Sequence, residues 1–174
     1  GARRFLERLP EVPRLVVPGN HDLPVYRVLE RLTRPYGNYG EHIAEERNIV
    51  LRMDGLVAVA LDSTSPLRTV TNGRIHVDQL ELCERVFSDA PAEALKVVVT
   101  HHHFIPAPDW ERDQAMPKAK RALDRFVALR VDLVFGGHLH RSYIGNSLDV
   151  YPGEERSHGI IIVQPGFAVE PWFG

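Results

Sequence analysis

Two short strand-like segments, residues 95–99 and 131–135, each run directly into a histidine cluster, and this constrains the fold more than any other feature of the chain. Between and before them, apolar residues recur with helical rather than strand periodicity. Val77, Leu80, Cys83 and Phe87 mark one stripe, with Glu81, Glu84 and Arg85 available for its wet face; Ala119, Ala122, Leu123, Phe126 and Val127 mark another, backed by Lys118, Lys120, Arg121 and Arg125. Helices alternating with short apolar strands predict a layered α/β sheet. Ligands of such sheets bind beyond the C-terminal ends of the strands, which is where the histidines fall.

The rest of the chain fits that layout. Residues 2–9 read as a helix ended by Pro10 and Pro13, and 15–17 as a short buried strand closed by Pro18 and Gly19. Val25, Val28, Leu29 and Leu32 form an amphipathic stripe, with Pro24 near the helix start. Residues 36–40 read as a loop by composition, 48–52 and Leu56–Leu61 as strands around the turn at Asp54 and Gly55, 71–73 as a break, and 159–163 as a last strand. No repeat or linker divides the 174 residues, so a single domain is expected.

Composition excludes some functions. A net charge of −2 gives no bulk attraction to nucleic acid or an anionic membrane, and neither is expected as a partner. No apolar run approaches the ~20 residues of a membrane-spanning helix, and no signal-peptide pattern is present. The single cysteine, Cys83, cannot form an internal disulfide and reads as core; together these features lead to an expectation of a cytoplasmic protein. His42 and His76 are expected to be solvated.

Six of the nine histidines lie in three motifs. In Gly19-Asn20-His21-Asp22, the glycine permits a tight turn and Asn20 offers a neutral oxygen to a cation. His21 can give a proton or hydrogen bond to a reacting group, with Asp22 fixing its tautomer. In Thr100-His101-His102-His103, three adjacent imidazoles would crowd like charges, which favours one being held neutral on a metal; His101 is preferred, His102 is the alternative, and His103 packs or faces solvent. In Gly136-Gly137-His138-Leu139-His140, an extended backbone would aim both histidines the same way and turn Leu139 into the core.

In this order and spacing, the three motifs resemble the calcineurin-like metallophosphoesterases, most closely the branch similar to bacterial cyclic-nucleotide phosphodiesterases. Leu61-Asp62-Ser63 and the approach through Gly73 and Arg74 also resemble it. The resemblance implies a layered α-β-β-α sandwich and a site with two divalent ions (Mn, Fe or Zn). It implies that Asn20, His101 and His138 hold one ion and that His140 holds the other. His21, oriented by Asp22, would act on the phosphoryl oxygens or leaving group, during in-line attack by a metal-activated hydroxide. Asn38, His102 and Arg141 are candidate contacts for a small phosphoester, first of all a phosphodiester such as a cyclic nucleotide. A phosphomonoesterase, a nucleotide pyrophosphatase or a non-catalytic metal-binding module are the alternatives.

The family also carries an Asp-x-His and a Gly-Asp-x-x-Asp-type motif upstream, and neither occurs here: no Asp is followed two places later by His, and no Gly-Asp pair exists. A carboxylate bridging two ions is physically needed, because neutral ligands alone leave their repulsion uncompensated. The sequence therefore reads as a partial domain, incomplete at its N-terminus and inactive on its own.

Overall fold

The computed structural model describes residues 2–67, 73–108, 115–150 and 158–166. Its strands are β1 (Ile49–Met53), β2 (Leu56–Leu61), β3 (Leu95–Thr100), β4 (Leu133–Phe135), β5 (Tyr143–Asn146) and β6 (Ile161–Gln164). They form one six-stranded sheet in the order β1-β2-β3-β4-β6-β5. The inner strands β2, β3, β4 and β6 run parallel, and β1 and β5 close the two edges antiparallel. Parallel strands need coverage on both faces, and β2 shows it. Val57, Val59 and Leu61 join the main core, while the alternate residues Ala58 and Ala60 are buried as well.

Helices α4 (Val77–Ser88) and α5 (Ala119–Ala128) touch each other, and α4 lies on β2. Most of their predicted stripes are buried, though Val77 at the start of α4 is exposed and Val127 only half-buried: Leu80, Cys83, Val86 and Phe87 from α4 meet Ala122, Leu123 and Phe126 from α5 over Val98, Val134 and Ile162. The wet faces are linked by Arg125 and Glu84 at 2.9 Å, an exposed pair that contributes little to stability. The mixed α/β layering is therefore present, with the described strands gathered into a single sheet.

Several expectations change. Residues 15–17 make no ladder with any described strand, and the Val16 carbonyl instead accepts a hydrogen bond from the Tyr39 hydroxyl. Residues expected as a loop around position 38 form helix α3 (Gly37–His42), because burial of Tyr39 outweighs the poor helix propensity of two glycines. Helix α1 is only Ala2–Leu6, and α2 (Val28–Thr33) starts four residues after Pro24. Its stripe is not buried: Val28, Leu29 and Leu32 are exposed. Strand β5 and the short helix α6 (Ser147–Val150) have no counterpart in the sequence reading. Of the expected break at 71–73, positions 71 and 72 lie outside the described residues. Cys83 is core, and His42 and His76 are exposed as expected, although His42 ends α3.

Candidate metal centre

Register places the histidines before any side chain is considered. Leu61 on β2 pairs with Thr100 on β3, and Val99 pairs with Phe135 on β4. The segments that follow, 62–64, 101–103 and 136–140, therefore leave three neighbouring parallel strands at one edge of the sheet. Asn20 reaches the same edge without a strand, on the 3-10 turn Asn20–Asp22. The turn can approach because Gly19 has no side chain: a Cβ there would stand 2.9 Å from His101 Cε1.

The contacts are close. His101 Nε2 donates to Asn20 Oδ1 at 2.8 Å, and His138 Nδ1 lies 3.3 Å from the same His101 nitrogen. His101 and His102 meet edge to face with ring centroids 4.9 Å apart, and His102 and His138 are 4.8 Å apart. One nitrogen from each of His101, His102 and His138 lies within 4.8 Å of the others. Burial, followed by the neighbouring His102, His138, His21 and His140, pushes the His101 imidazole down to about 3. It is held neutral near pH 7, the form that can donate a lone pair to a metal.

The other predicted residues are placed as follows. His21 and Asp22 are exposed. They line a cavity of about 520 Å³ together with Arg3, Arg4, Asn38, Tyr39 and His42, so Asn38 and His21 face one cavity. Asp22 Oδ2 accepts from the Gly19 N–H at 2.7 Å, so the carboxylate braces the turn that carries His21. Arg141 is exposed beyond the last motif. His138 and His140 have φ of 77° and 57°, both in the left-handed region, so 138–140 is not the extended segment expected. His138 turns into the cluster, His140 is exposed, and Leu139 is only half-buried. Such strain in non-glycine residues is typical of functional turns. His102, read both as alternative ligand and as substrate contact, is 1% exposed and inside the cluster, which fits the former role. His103 packs, at 4% exposure.

Sequence reasoning gave no role to Ser63, whose hydroxyl holds His102 at 2.9 Å; the only signal was its place just after a buried strand in Leu61-Asp62-Ser63.

Neutral imidazoles with one amide oxygen are the donors that borderline divalent metals prefer, so these residues fit an ion of that class. Among the described residues no carboxylate joins the group. Asp62, the buried acid nearby in sequence to Ser63, is bonded instead to Arg47 and Thr64.

The family description "calcineurin-like phosphoesterase" matches residues 1–142. The chain belongs to that family. The calcineurin-like phosphoesterases are metal-dependent phosphoester hydrolases, so divalent metal ions belong to the chemistry of this fold. Among solved structures, the chain is similar to the purple acid phosphatase PPD1 from yellow lupin (Lupinus luteus) seeds, with a TM-score of 0.58 and 15% identity. The match covers 89% of this chain and 31% of that one, so the chain spans about a third of its structural neighbour. At this identity the likeness speaks for the fold alone. No curated protein matches the sequence. No described helix is long and apolar enough to cross a membrane.

Proposed function

We propose that this chain is the histidine-bearing part of a two-metal phosphoester hydrolase acting on small phosphodiesters, cyclic nucleotides first among them, in the cytoplasm. The observation that supports this best is the meeting of Asn20, His101 and His138 at one sheet edge, within hydrogen-bonding distances of 2.8 and 3.3 Å. In this reading those three residues hold one Mn, Fe or Zn ion, and His140 reaches the second. Bound ions would supply Lewis-acid activation of water and neutralise charge on the phosphoryl group.

The chain's own residues do the remaining work. His21, adjacent to Asn20 and exposed to the cavity, protonates or hydrogen-bonds the leaving oxygen. Asp22 keeps His21 in place through its bond to Gly19. Asn38 lines the same cavity and contacts the substrate, and Arg141, exposed just past the last motif, is a second contact. In this reading a bridging carboxylate, which the neutral cluster does not contain, would come from Asp-x-His and Gly-Asp motifs wherever a longer parent form of the chain carries them.

The test is a pair of variants in that parent. His21→Ala should keep its metals and lose about 10²–10⁴-fold in turnover of a nitrophenyl phosphodiester. His138→Ala should lose metal as well as rate. Loss of metal in His21→Ala would make His21 a ligand and end this assignment. The all-neutral cluster favours one other reading, a module that binds a single ion without turnover; a parent that binds one ion and hydrolyses nothing would establish it.

A further inference from the structure

We infer that Ser63 is a positioning residue for the metal centre: it sets the ring and the tautomer of His102 so that Nε2 is the nitrogen this ring presents to an ion. The inference rests on the metal-site reading above and adds His102, the third imidazole of the cluster, as a donor beside Asn20, His101 and His138. Ser63 Oγ accepts the His102 backbone N–H at 3.0 Å and lies 2.9 Å from the ring Nδ1. One hydroxyl thus holds both the backbone and the side chain of the same histidine. With Nδ1 engaged by Ser63, any ion that the ring meets is met through Nε2.

The hydroxyl suits this task because it both donates and accepts. Without metal, the Ser63 O–H can donate to Nδ1, and the ring proton then sits on Nε2. With metal, the Ser63 O–H turns away from the ring, Nδ1–H donates to the Ser63 oxygen, which already accepts the backbone N–H on its other lone pair, and Nε2 offers its own lone pair. Only the positions of two protons change. No side chain has to move.

Ser63 can impose this geometry because it is rigidly held. It is fully buried, and its carbonyl accepts the Arg74 N–H at 2.8 Å. Before it, Asp62 is bonded to Asn48 through its N–H and to Gln79 through its carbonyl, while its carboxylate takes Arg47 and Thr64. Gly73 packs against the same ring, and a Cβ there would collide with His102 Cγ and Nδ1. The imidazole is therefore held by a hydroxyl and packed against a bare backbone. Hydrogen bonds of this kind behind a ligand histidine change metal affinity about 10–100-fold when removed.

Zn²⁺ titration of the chain, followed by NMR of the histidine ring carbons and nitrogens, tests this without any need for turnover. His102 should move to the Nδ1–H tautomer as Zn²⁺ binds. Ser63→Ala should weaken Zn²⁺ binding about 10–100-fold while keeping a dispersed amide spectrum, and Ser63→Thr should recover most of the loss. Gly73→Ala should weaken binding with the hydroxyl still present. If His101 and His138 respond to Zn²⁺ while His102 keeps its proton on Nε2, the inference fails and the metal reading stands. Wild-type affinity in Ser63→Ala would also overturn it. If no histidine responds to Zn²⁺, the metal reading falls first and takes this inference with it.

Discussion

Single residues decide most about the site, and two of them act by what they lack or withhold. Gly19 gives His101 its place by having no side chain. Gly19→Ala would put a methyl group 2.9 Å from the His101 ring, at an ordinary φ of −98°, so the effect is steric and local. It should weaken divalent metal binding about 10–100-fold, as loss of ligand orientation does, which a Co²⁺ titration would measure. Cys83 withholds its proton. Burial raises its thiol from 9.0 to about 12, and Tyr39 is likewise raised to about 12, first by burial and then by Asp22 and Asp62. The unfolded chain releases the Cys83 proton above pH 9 while the folded chain keeps it to about 12, so this group's contribution is fully present below 9 and is lost as pH rises. Its share of the decline is at most about 1.4 kcal/mol per pH unit. Urea midpoints measured from pH 8.5 to 10.5 should fall less steeply in Cys83→Ala than in the wild type.

At the scale of elements, what the sequence made legible was whatever a single periodicity could carry. Helices α4 and α5 and strands β2 and β3 were readable because each buries one stripe or run that its own residues announce. Helix α3 was not, because Gly37 and Gly40 oppose it locally and only the burial of Tyr39, with its hydroxyl on Val16, holds it. Strand β5 has four residues with a glycine among them, too few to carry a pattern, and it exists through its pairing with β6. The candidate site divides the same way. The histidine clusters stood out by composition, whereas the left-handed turn at His138 and His140 and the part played by Ser63 depend on neighbours far away in sequence. The core beneath the site should carry the stability without shaping the chemistry. Phe126, fully buried on α5 and edge to face with Phe104, should cost about 3–5 kcal/mol on Phe126→Ala, read as a lower urea midpoint. The folded fraction of that variant should bind Zn²⁺ as the wild type does.

For the molecule as a whole, the governing quantity is the charge of its ligands. The cluster at the sheet edge offers His101, His102 and His138, with Asn20 beside them, and every one of these donors is neutral. One divalent ion can be held by such a set. Two ions about 3.5–4 Å apart carry four positive charges between them, and their repulsion calls for a bridging carboxylate. The carboxylates on the segments that bring Asn20 and Ser63 to the site are engaged elsewhere: Asp22 with the Gly19 N–H, and Asp62 with Arg47 and Thr64. Freeing Asp62 would strip a buried acid of its cation and of the loop bonds that fix Ser63, so it is poorly suited to turn toward the histidines. The 174-residue chain should therefore bind no more than one divalent ion tightly and hydrolyse no nitrophenyl phosphodiester above background in Mn²⁺. A longer chain with Asp-x-His and Gly-Asp motifs ahead of residue 1 should gain the second ion and the activity together, since both depend on the same carboxylates. Metal stoichiometry after equilibrium dialysis, measured beside the diesterase rate, decides the matter. Two tightly held ions with robust turnover in the 174-residue chain would mean that Asp22 or Asp62 leaves its present partners to bridge them, and the neutral-cluster argument would fail.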